Sequence, residues 1–247
     1  MNDRVRAFAA LHVKGDPLII YNIWDAGSAV AVAKAGAKAI ATGSWGVAGA
    51  HGLRDGEDMP LDLVIANAAR IVSVTDLPVS VDLETGYGDV AASAQTMVDA
   101  GVAGINLEDR IIGGKGLYAI DDQCARIAAA ASTGIFVNAR TDLFIQAPAD
   151  THGAALVAQA VERAYAYAEA GAGSFFAPFL VGAELIGELC AASPLPVNIL
   201  IHPGCPTNAD LAKLGVARIS YGHGPWSAAM DWLEGQARTV FEPLDTA

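Results

Sequence analysis

The feature that most constrains the fold is a short motif that occurs four times, in which an apolar helix end runs through a glycine into an apolar strand. The glycines of these motifs are Gly36, Gly101, Gly171 and Gly215. Glycine ends a helix in the left-handed conformation, which other residues adopt only at a cost in energy. Repetition of the same helix-to-strand step predicts a chain built from βα units.

Short apolar segments bounded by Gly or Pro are typical of buried parallel strands. They lie at residues 18–23, 38–42, 78–83, 103–107, 135–139, 174–177, 196–201 and 216–221. Helical patterns alternate with them near residues 26–35, 60–74, 90–100, 121–132, 152–170, 182–192, 207–214 and 225–240. This alternation within 247 residues favours an α/β fold, a single-domain (β/α)8 TIM-type barrel over residues 1–247. A doubly wound open sheet is the alternative, because a count of elements fits both.

Composition narrows the classes of protein that fit. Hydrophobic residues make up 53% of the chain and charged residues 17%, which supports a large core and excludes wholesale disorder. A net charge of −12 opposes binding to nucleic acid or to an anionic membrane. There is no apolar segment of membrane-spanning length and no signal-peptide core. The three cysteines form no C-x-x-C pair, which favours a reducing, cytoplasmic location.

Acidic residues follow two neighbouring predicted strands, where a barrel places its active site. Asp82 and Glu84 end the third strand, and Glu108 and Asp109 end the fourth. Alternation along a strand predicts that Asp82 and Glu84 share one face. Carboxylates that meet at neighbouring strand ends repel each other unless a cation lies between them, and Mg²⁺ suits such oxygen ligands. The alternative is that these acids are helix caps and solvated loop residues.

Arg140 ends the fifth predicted strand. Its planar guanidinium is suited to bind a carboxylate or to stabilise a developing oxyanion. An ion pair with Glu108 or Asp142 is the structural alternative. Asn198, within the seventh predicted strand, is expected to face the same site.

Five segments together resemble the isocitrate lyase/phosphoenolpyruvate mutase superfamily. They are residues 22–29, 52–55, 82–88, 107–109 and 138–140, and they occur in the order of the family. The resemblance implies a Mg²⁺-dependent α/β barrel, with Mn²⁺ as an alternative cation, that acts on 2-oxo acids and related carboxylates.

The resemblance also implies roles for individual residues. Asp82, Glu84 and Glu108 correspond to the acids around the metal. Arg140 corresponds to the residue that stabilises the oxyanion, and it is grouped with Glu108 and Asp55 as catalytic. The residues predicted to bind substrate are Trp24, Gly43, Ser44, Trp45, Arg140 and Asn198.

The segment expected to cover the site departs from the family pattern. Characterised lyases of the family carry a Lys-Lys-Cys-Gly-His lid, whereas residues 110–118 contain neither Cys nor His. Lys115 and Tyr118 are therefore candidates for the proton donor, with a solvated lysine and a packing tyrosine as the alternatives. The residues predicted to form a mobile gate are Gly113, Gly114, Lys115 and Gly116.

The sequence thus predicts a Mg²⁺-dependent carbon–carbon lyase that acts on a small 2-oxo or 2-hydroxy (di)carboxylate through an enolate-type intermediate. Cleavage or decarboxylation of an oxaloacetate-like substrate is expected. Phosphonomutase-like P–C bond chemistry and a non-catalytic, carboxylate-binding barrel stay open as alternatives. The expected partners are the small-molecule substrate and copies of the chain, in a dimer or tetramer, with residues 225–247 forming a helical segment that packs on another subunit.

Overall fold

Eight parallel strands pair in one continuous sheet. The computed structural model describes residues 2–241. The strands are β1 (Leu18–Ile20), β2 (Ile40–Ala41), β3 (Val79–Asp82), β4 (Gly104–Glu108), β5 (Phe136–Arg140), β6 (Ser174–Ala177), β7 (Val197–Leu200) and β8 (Arg218–Ser220). Their order is β1-β8-β7-β6-β5-β4-β3-β2, and the two ends meet at a parallel bridge between Ile23 and Thr42. The predicted (β/α)8 barrel is therefore confirmed over the open sheet.

Helices surround the strands on the outside of the barrel. They are α1 (Asp3–Ala10), α2 (Ala26–Lys34), α3 (Ser44–Ala50), α4 (Leu61–Ser73), α5 (Val90–Asp99), α6 (Ile120–Ala131), α7 (Leu143–Gln146), α8 (Ala154–Glu169), α9 (Ala183–Ala192), α10 (Asn208–Lys213) and α11 (Gly224–Phe241). Eight of them match the predicted helices, whereas α1, α3 and α7 lie outside every predicted helix. Within the described part of the chain, no helix combines the length and apolar character needed to cross a bilayer.

The recurring glycines act as the sequence predicts. Gly36, Gly101, Gly171 and Gly215 each follow the C-cap of a helix, with φ values between 83° and 98°. Only glycine adopts this conformation without strain. Each of them turns the chain from a helix towards the following strand, which confirms the βα repeat.

An apolar plug closes the amino-terminal end of the barrel. Val5 and Phe8 of α1 are buried against Leu18 and Ile20 of β1 and against Phe136 at the start of β5. The rings of Phe8 and Phe136 meet edge to face with centroids 5.3 Å apart. Apolar side chains therefore fill much of the interior at this end, around the buried side chains of His12 and Arg218.

A buried layer of polar side chains lies within the barrel. The Asn138 amide donates to Asn106 Oδ1 at 2.8 Å and to Asn198 Oδ1 at 3.0 Å. The Ser174 hydroxyl donates to Asn138 Oδ1 at 2.6 Å. The amide and carbonyl of Asn138 are thus both paired, and this layer connects β4, β5, β6 and β7.

Candidate active site

A cavity of about 230 Å³ opens at the carboxyl ends of the strands. Its lining residues are Asn22, Gly43, Ser44, Trp45, Asp55, Asp82, Asn106, Arg110, Arg140, Asp142, Ile145, Phe176, Pro178, Phe179, Leu200, Ser220, Gly222 and His223. The volume is below that of pockets for drug-sized ligands and suits a small metabolite. The cavity brings together six of the predicted site residues, which are Gly43, Ser44, Trp45, Asp55, Asp82 and Arg140.

Asp82 ends β3 and has one carboxylate oxygen without a partner. Its Oδ2 accepts hydrogen bonds from the Ser44 N–H at 3.2 Å and the Ser44 hydroxyl at 3.0 Å. Its Oδ1 is buried and accepts no hydrogen bond. An unpaired buried carboxylate oxygen is energetically costly, so Asp82 is suited to hold a cation.

Glu84 does not share a strand face with Asp82, so that part of the prediction is wrong. Strand β3 ends at Asp82, and Glu84 takes a left-handed backbone with φ of 51°, which ends the alternation of side chains. Glu84 Oε2 accepts from the N–H groups of Gly56 and Glu57 at 2.7 and 2.8 Å. The Tyr87 hydroxyl donates to Glu84 Oε1 at 3.1 Å. Glu84 therefore holds the loop that follows α3.

Glu57, in that loop, makes the reciprocal contacts with the turn that follows Glu84. Its Oε1 accepts from the Thr85 N–H at 3.1 Å, the Thr85 hydroxyl at 2.6 Å and the Tyr87 N–H at 2.9 Å. We refer to the reciprocal pair Glu57 and Glu84 as the loop latch. Asp55 lies two residues before Glu57, so the latch fixes Asp55 at the cavity rim. Sequence reasoning missed Glu57 because no motif marks it.

Glu108 and Asp142 hold the guanidinium of Arg140 from two sides. Arg140 Nη1 lies 2.9 Å from Glu108 Oε2, and Arg140 Nε donates to Asp142 Oδ1 at 2.7 Å. Arg110 Nε lies 3.2 Å from Glu108 Oε1. Both ion pairs considered for Arg140 are thus present, and Arg140 lines the cavity as well.

Asp109 contacts a different set of residues and supports the site indirectly, through Asp142. Its Oδ2 accepts from the Tyr167 hydroxyl at 2.8 Å and lies 3.2 Å from Arg163 Nη1. Its Oδ1 accepts from the Asp142 N–H at 2.9 Å. Asp109 therefore fixes the backbone of the residue that grips Arg140. Tyr167 and Arg163 belong to α8, and no sequence pattern pointed to them.

The pKa values of the acids reflect crowding of negative charge. Burial, followed by repulsion from Asp55 and Asp82, raises the pKa of Glu84 to about 7. Burial raises the pKa of Glu108 to about 8 although Arg140 opposes the shift. The pKa of Asp55 is also raised, mainly by desolvation at the cavity wall and in addition by Asp82. A cation among these groups would favour their ionised forms.

The donor set fits Mg²⁺ through a small number of direct ligands. Among residues 2–241, no three His, Cys, Asp or Glu side chains converge into a complete ligand group. Mg²⁺ usually keeps several waters and takes one or two protein carboxylates directly. Asp82 Oδ1 and Glu108 Oε1 are both buried without a hydrogen bond, but Glu108 Oε1 lies 3.2 Å from Arg110 Nε, so Asp82 has the oxygen better suited to a direct ligand. Glu84 and Glu108 already hold hydrogen bonds or ion pairs and could act through water.

Trp24, Asn198 and the predicted gate lie outside the cavity lining. Trp24 lines a separate groove beside α2 and α11. Asn198 is fully buried, and its amide donates to Ser220 Oγ at 3.2 Å and to nearby carbonyl groups. Residues 113–116 form the exposed tip of a hairpin that a bridge between Arg110 and Leu117 closes. The tertiary fold determines which cavity a strand side chain faces and how close a loop lies to that cavity, and sequence alone does not provide it.

The two proton donors suggested by the sequence also lie outside the cavity lining. Lys115 is exposed at the hairpin tip. The ring of Tyr118 packs against Arg126, whose guanidinium carbon lies 4.2 Å from the ring centroid. The imidazole that does line the cavity is that of His223, at its rim.

Comparison with known proteins gives consistent matches over most of the chain. The sequence profile of the phosphoenolpyruvate phosphomutase family matches residues 8–241. A 2-methylisocitrate lyase of Escherichia coli strain K12 is 32% identical over 234 residues, covering 87% of this chain and 77% of the lyase. A crystal structure from Burkholderia cenocepacia, provisionally assigned as a phosphonomutase, is 47% identical with a TM-score of 0.92, covering 96% of this chain and 100% of that chain. A phosphonopyruvate hydrolase solved with oxalate and Mg²⁺ shares the fold at 23% identity and a TM-score of 0.82, covering 95% of this chain and 86% of that chain.

Proposed function

The chain belongs to the phosphoenolpyruvate phosphomutase family, within the isocitrate lyase/phosphoenolpyruvate mutase superfamily, and on that basis we propose that it is a Mg²⁺-dependent carbon–carbon lyase. Its substrate is a small 2-oxo or 2-hydroxy (di)carboxylate, cleaved or decarboxylated through an enolate-type intermediate. The observation that carries the proposal is the unpartnered, buried Oδ1 of Asp82, a residue that lines the same cavity as Arg140. A free carboxylate oxygen beside a fixed guanidinium suits the binding of a cation and an oxyanion together.

Asp82 is assigned as the direct ligand of Mg²⁺, with Mn²⁺ as the alternative cation. Glu84 and Glu108 are assigned to the surrounding shell. When bound, the cation would polarise the 2-oxo or 2-hydroxy group and compensate the charge of the neighbouring carboxylate. The Mg²⁺ and oxalate held by the phosphonopyruvate hydrolase support this assignment as an analogy of fold.

Arg140 is assigned to stabilise the developing oxyanion. Glu108 and Asp142 hold its guanidinium in one orientation, at 2.9 and 2.7 Å, so little reorganisation is needed during the reaction. Gly43, Ser44 and Trp45 are assigned to contact the substrate carboxylate, because all three line the cavity.

Asp55 is assigned to hold a proton at the cavity rim, where the loop latch positions its carboxyl group. Residues 113–116 remain the proposed gate. Closure of such a loop would exclude water from the reacting atoms.

The test is a turnover assay with oxaloacetate, 3-methylmalate, other 2-oxo and 2-hydroxy acids, and phosphonopyruvate, with and without Mg²⁺. We expect Mg²⁺-dependent release of a 2-oxo acid or CO₂ from at least one carboxylate, monitored by NMR. The Arg140→Lys variant should lower kcat by about a hundredfold or more, since a point charge replaces the planar donor fork. Asp121→Asn, at an exposed position on α6, is the matched control.

Two other outcomes would replace this proposal. Cleavage of phosphonopyruvate alone would assign P–C bond chemistry to the site. Tight Mg²⁺-dependent binding of oxalate without turnover of any acid would assign a carboxylate-binding barrel.

We also propose that the chain assembles with copies of itself, as a dimer or tetramer. Pro225 is the one buried residue in the described part of α11, and the helix exposes Trp232 and Phe241. Tyr21, just after β1, is 48% exposed, although the outside of a barrel strand is usually covered by a helix. A second copy of α11 would cover such apolar surface. Residues 242–247 of the predicted segment lie outside the described residues. Light scattering, which measures the molar mass in solution, tests the assembly.

A further inference from the structure

The cavity is divided into two chemically different halves. The carboxylates and guanidinium of one half come from the ends of β3 and β5 and from neighbouring loops. The other half is apolar, and its side chains are Ile145, Phe176, Pro178, Phe179 and Leu200. They come from β6, from β7 and from segments directly after β5 and β6, and these strands are neighbours in the sheet. We refer to these five residues as the apolar wall.

The apolar wall begins beside the proposed reaction centre. The guanidinium carbon of Arg140 lies 6.0 Å from the centroid of the Phe176 ring. Farther out, the side chain of Ile145 is 37% exposed, and that of Trp45 on the facing rim is 52% exposed. Apolar surface that lines a cavity and contacts water gains free energy when an apolar ligand group covers it.

Phe179 is held in a conformation that is costly for a bulky residue. Its φ is 67°, in the left-handed region that favours glycine. The ring packs against that of His202, with centroids 4.6 Å apart. Local strain of this kind persists when surrounding contacts impose it, and it is concentrated at functional sites. The strain at Phe179 therefore points to a role for its ring in the cavity.

The cationic side chains of the cavity are all on or near the acidic half. Arg110 and Arg140 both pair with Glu108, at 3.2 and 2.9 Å, and Arg140 also pairs with Asp142. Within the described lining, no lysine or arginine belongs to the apolar wall. A second ligand carboxylate placed against this wall would lose its water without gaining a lysine or arginine partner, which is unfavourable; the basic ring that contacts the wall is that of His202, which packs against Phe179.

We propose that the substrate is a monocarboxylic 4-hydroxy-2-oxo acid whose remote end is an alkyl or aryl group. Cleavage of its C3–C4 bond leaves the electron pair on C3 as the enolate of the 2-oxo acid, while the 4-hydroxyl group loses its proton and becomes the carbonyl of an aldehyde, and a proton returns to C3. The acid end occupies the half that contains Asp82 and Arg140, and the apolar end covers the wall formed by Ile145, Phe176 and Phe179. This inference rests on the proposed function and narrows its substrate class. It identifies the apolar wall as the part of the site that determines specificity.

The test measures ligand affinity by calorimetry with the Mg²⁺-loaded protein and therefore does not depend on turnover. The series pyruvate, 2-oxobutanoate, 2-oxopentanoate and 2-oxohexanoate adds one methylene at a time. We expect affinity to rise about fourfold per methylene until the wall is covered. A second comparison uses 5-methyl-2-oxohexanoate and 2-oxoglutarate, which have similar shapes but differ in a terminal isopropyl or carboxylate group. The apolar acid should bind at least tenfold more tightly.

Two variants test the wall itself. Phe179→Ala should reduce the affinity ratio of 2-oxohexanoate to pyruvate by about tenfold, because the ring that covers the tail is gone. Ile145→Gln should reduce the same ratio, and its exposed position makes the substitution compatible with folding. Tyr165→Ala, at an exposed position of α8 outside the cavity lining, is the control and should leave the ratio at the wild-type value.

The results separate this inference from the proposed function. Two results would overturn the apolar substrate class and leave the lyase proposal standing. In the first, pyruvate binds with Mg²⁺ but affinity does not rise along the series. In the second, 2-oxoglutarate binds more tightly than 5-methyl-2-oxohexanoate. Absence of Mg²⁺-dependent binding for every acid in the series would overturn both.

Discussion

The loop latch gives a prediction whose size follows from its hydrogen bonds. Glu57→Ala removes Oε1, which accepts hydrogen bonds from the N–H and hydroxyl of Thr85 and from the N–H of Tyr87, at distances between 2.6 and 3.1 Å. A hydrogen bond to a charged group contributes roughly 1.5–3 kcal/mol when buried. Glu57 is half-buried, so water replaces part of each contact and we expect a total loss of about 2–3 kcal/mol for local opening.

This loss should appear as faster hydrogen exchange at the latch. A loss of about 2 kcal/mol corresponds to a roughly thirtyfold increase in opening. Hydrogen exchange with mass spectrometry should show this increase in peptides that cover residues 53–59 and 84–88. Glu57→Gln keeps an acceptor oxygen and should give a smaller increase. Glu188→Ala removes a carboxylate from an exposed position of α9 and is the control.

The same variants connect the latch to the site. Asp55 depends on this loop for its position, so Glu57→Ala should also lower kcat/KM in the turnover assay. Exchange rates in Glu57→Ala that equal those of the Glu188→Ala control would refute the reasoning, because they would show that the contacts do not hold the loop.

Two further predictions concern the support of the site and of the barrel floor. Tyr167→Phe removes the donor to Asp109 Oδ2 at 2.8 Å and should lower the free energy of unfolding by about 1.5–3 kcal/mol. It should also lower kcat, with a smaller effect on KM. The exposed Tyr165→Phe is the control, and equal urea midpoints for the two variants would contradict the prediction. Burial, followed by the charge of Arg218, lowers the pKa of His12 from 6.5 to about 3. The folded protein therefore binds fewer protons at His12 than the unfolded chain, so the free energy of unfolding decreases as the pH falls below 6.5. Between pH 6.5 and 5, the wild type should lose about 1.6 kcal/mol relative to His12→Asn in urea unfolding. Parallel pH dependence in the two proteins would show this assignment to be wrong.

The sequence predicts the barrel well because its signals are local. Gly36, Gly101, Gly171 and Gly215 mark the turn from helix to strand by their own backbone preference. The strand segments are apolar because they are buried. Helices α1 and α3 escape prediction because helices of seven or eight residues give too short a periodic pattern.

The site is predicted only in part because much of it depends on contacts between distant loops. Asp82 and Arg140 were identified from their positions at strand ends, where a barrel gathers its functional groups. Glu57 and Tyr167 act on residues about 28 and 58 positions away, at Thr85 and Asp109, and nothing nearby in sequence marks these pairs. Glu84 shows the limit of periodicity, because one left-handed residue ends the alternation on which the prediction depended.

The most direct test of the central claim is calorimetric titration of Mg²⁺ into the wild type, Asp82→Asn and the exposed control Asp121→Asn. The free Oδ1 of Asp82 predicts a single site that Asp82→Asn weakens at least tenfold and that Asp121→Asn leaves at the wild-type affinity. Equal Mg²⁺ affinity in the wild type and Asp82→Asn would contradict the claim that the buried acids at the strand ends form the metal site.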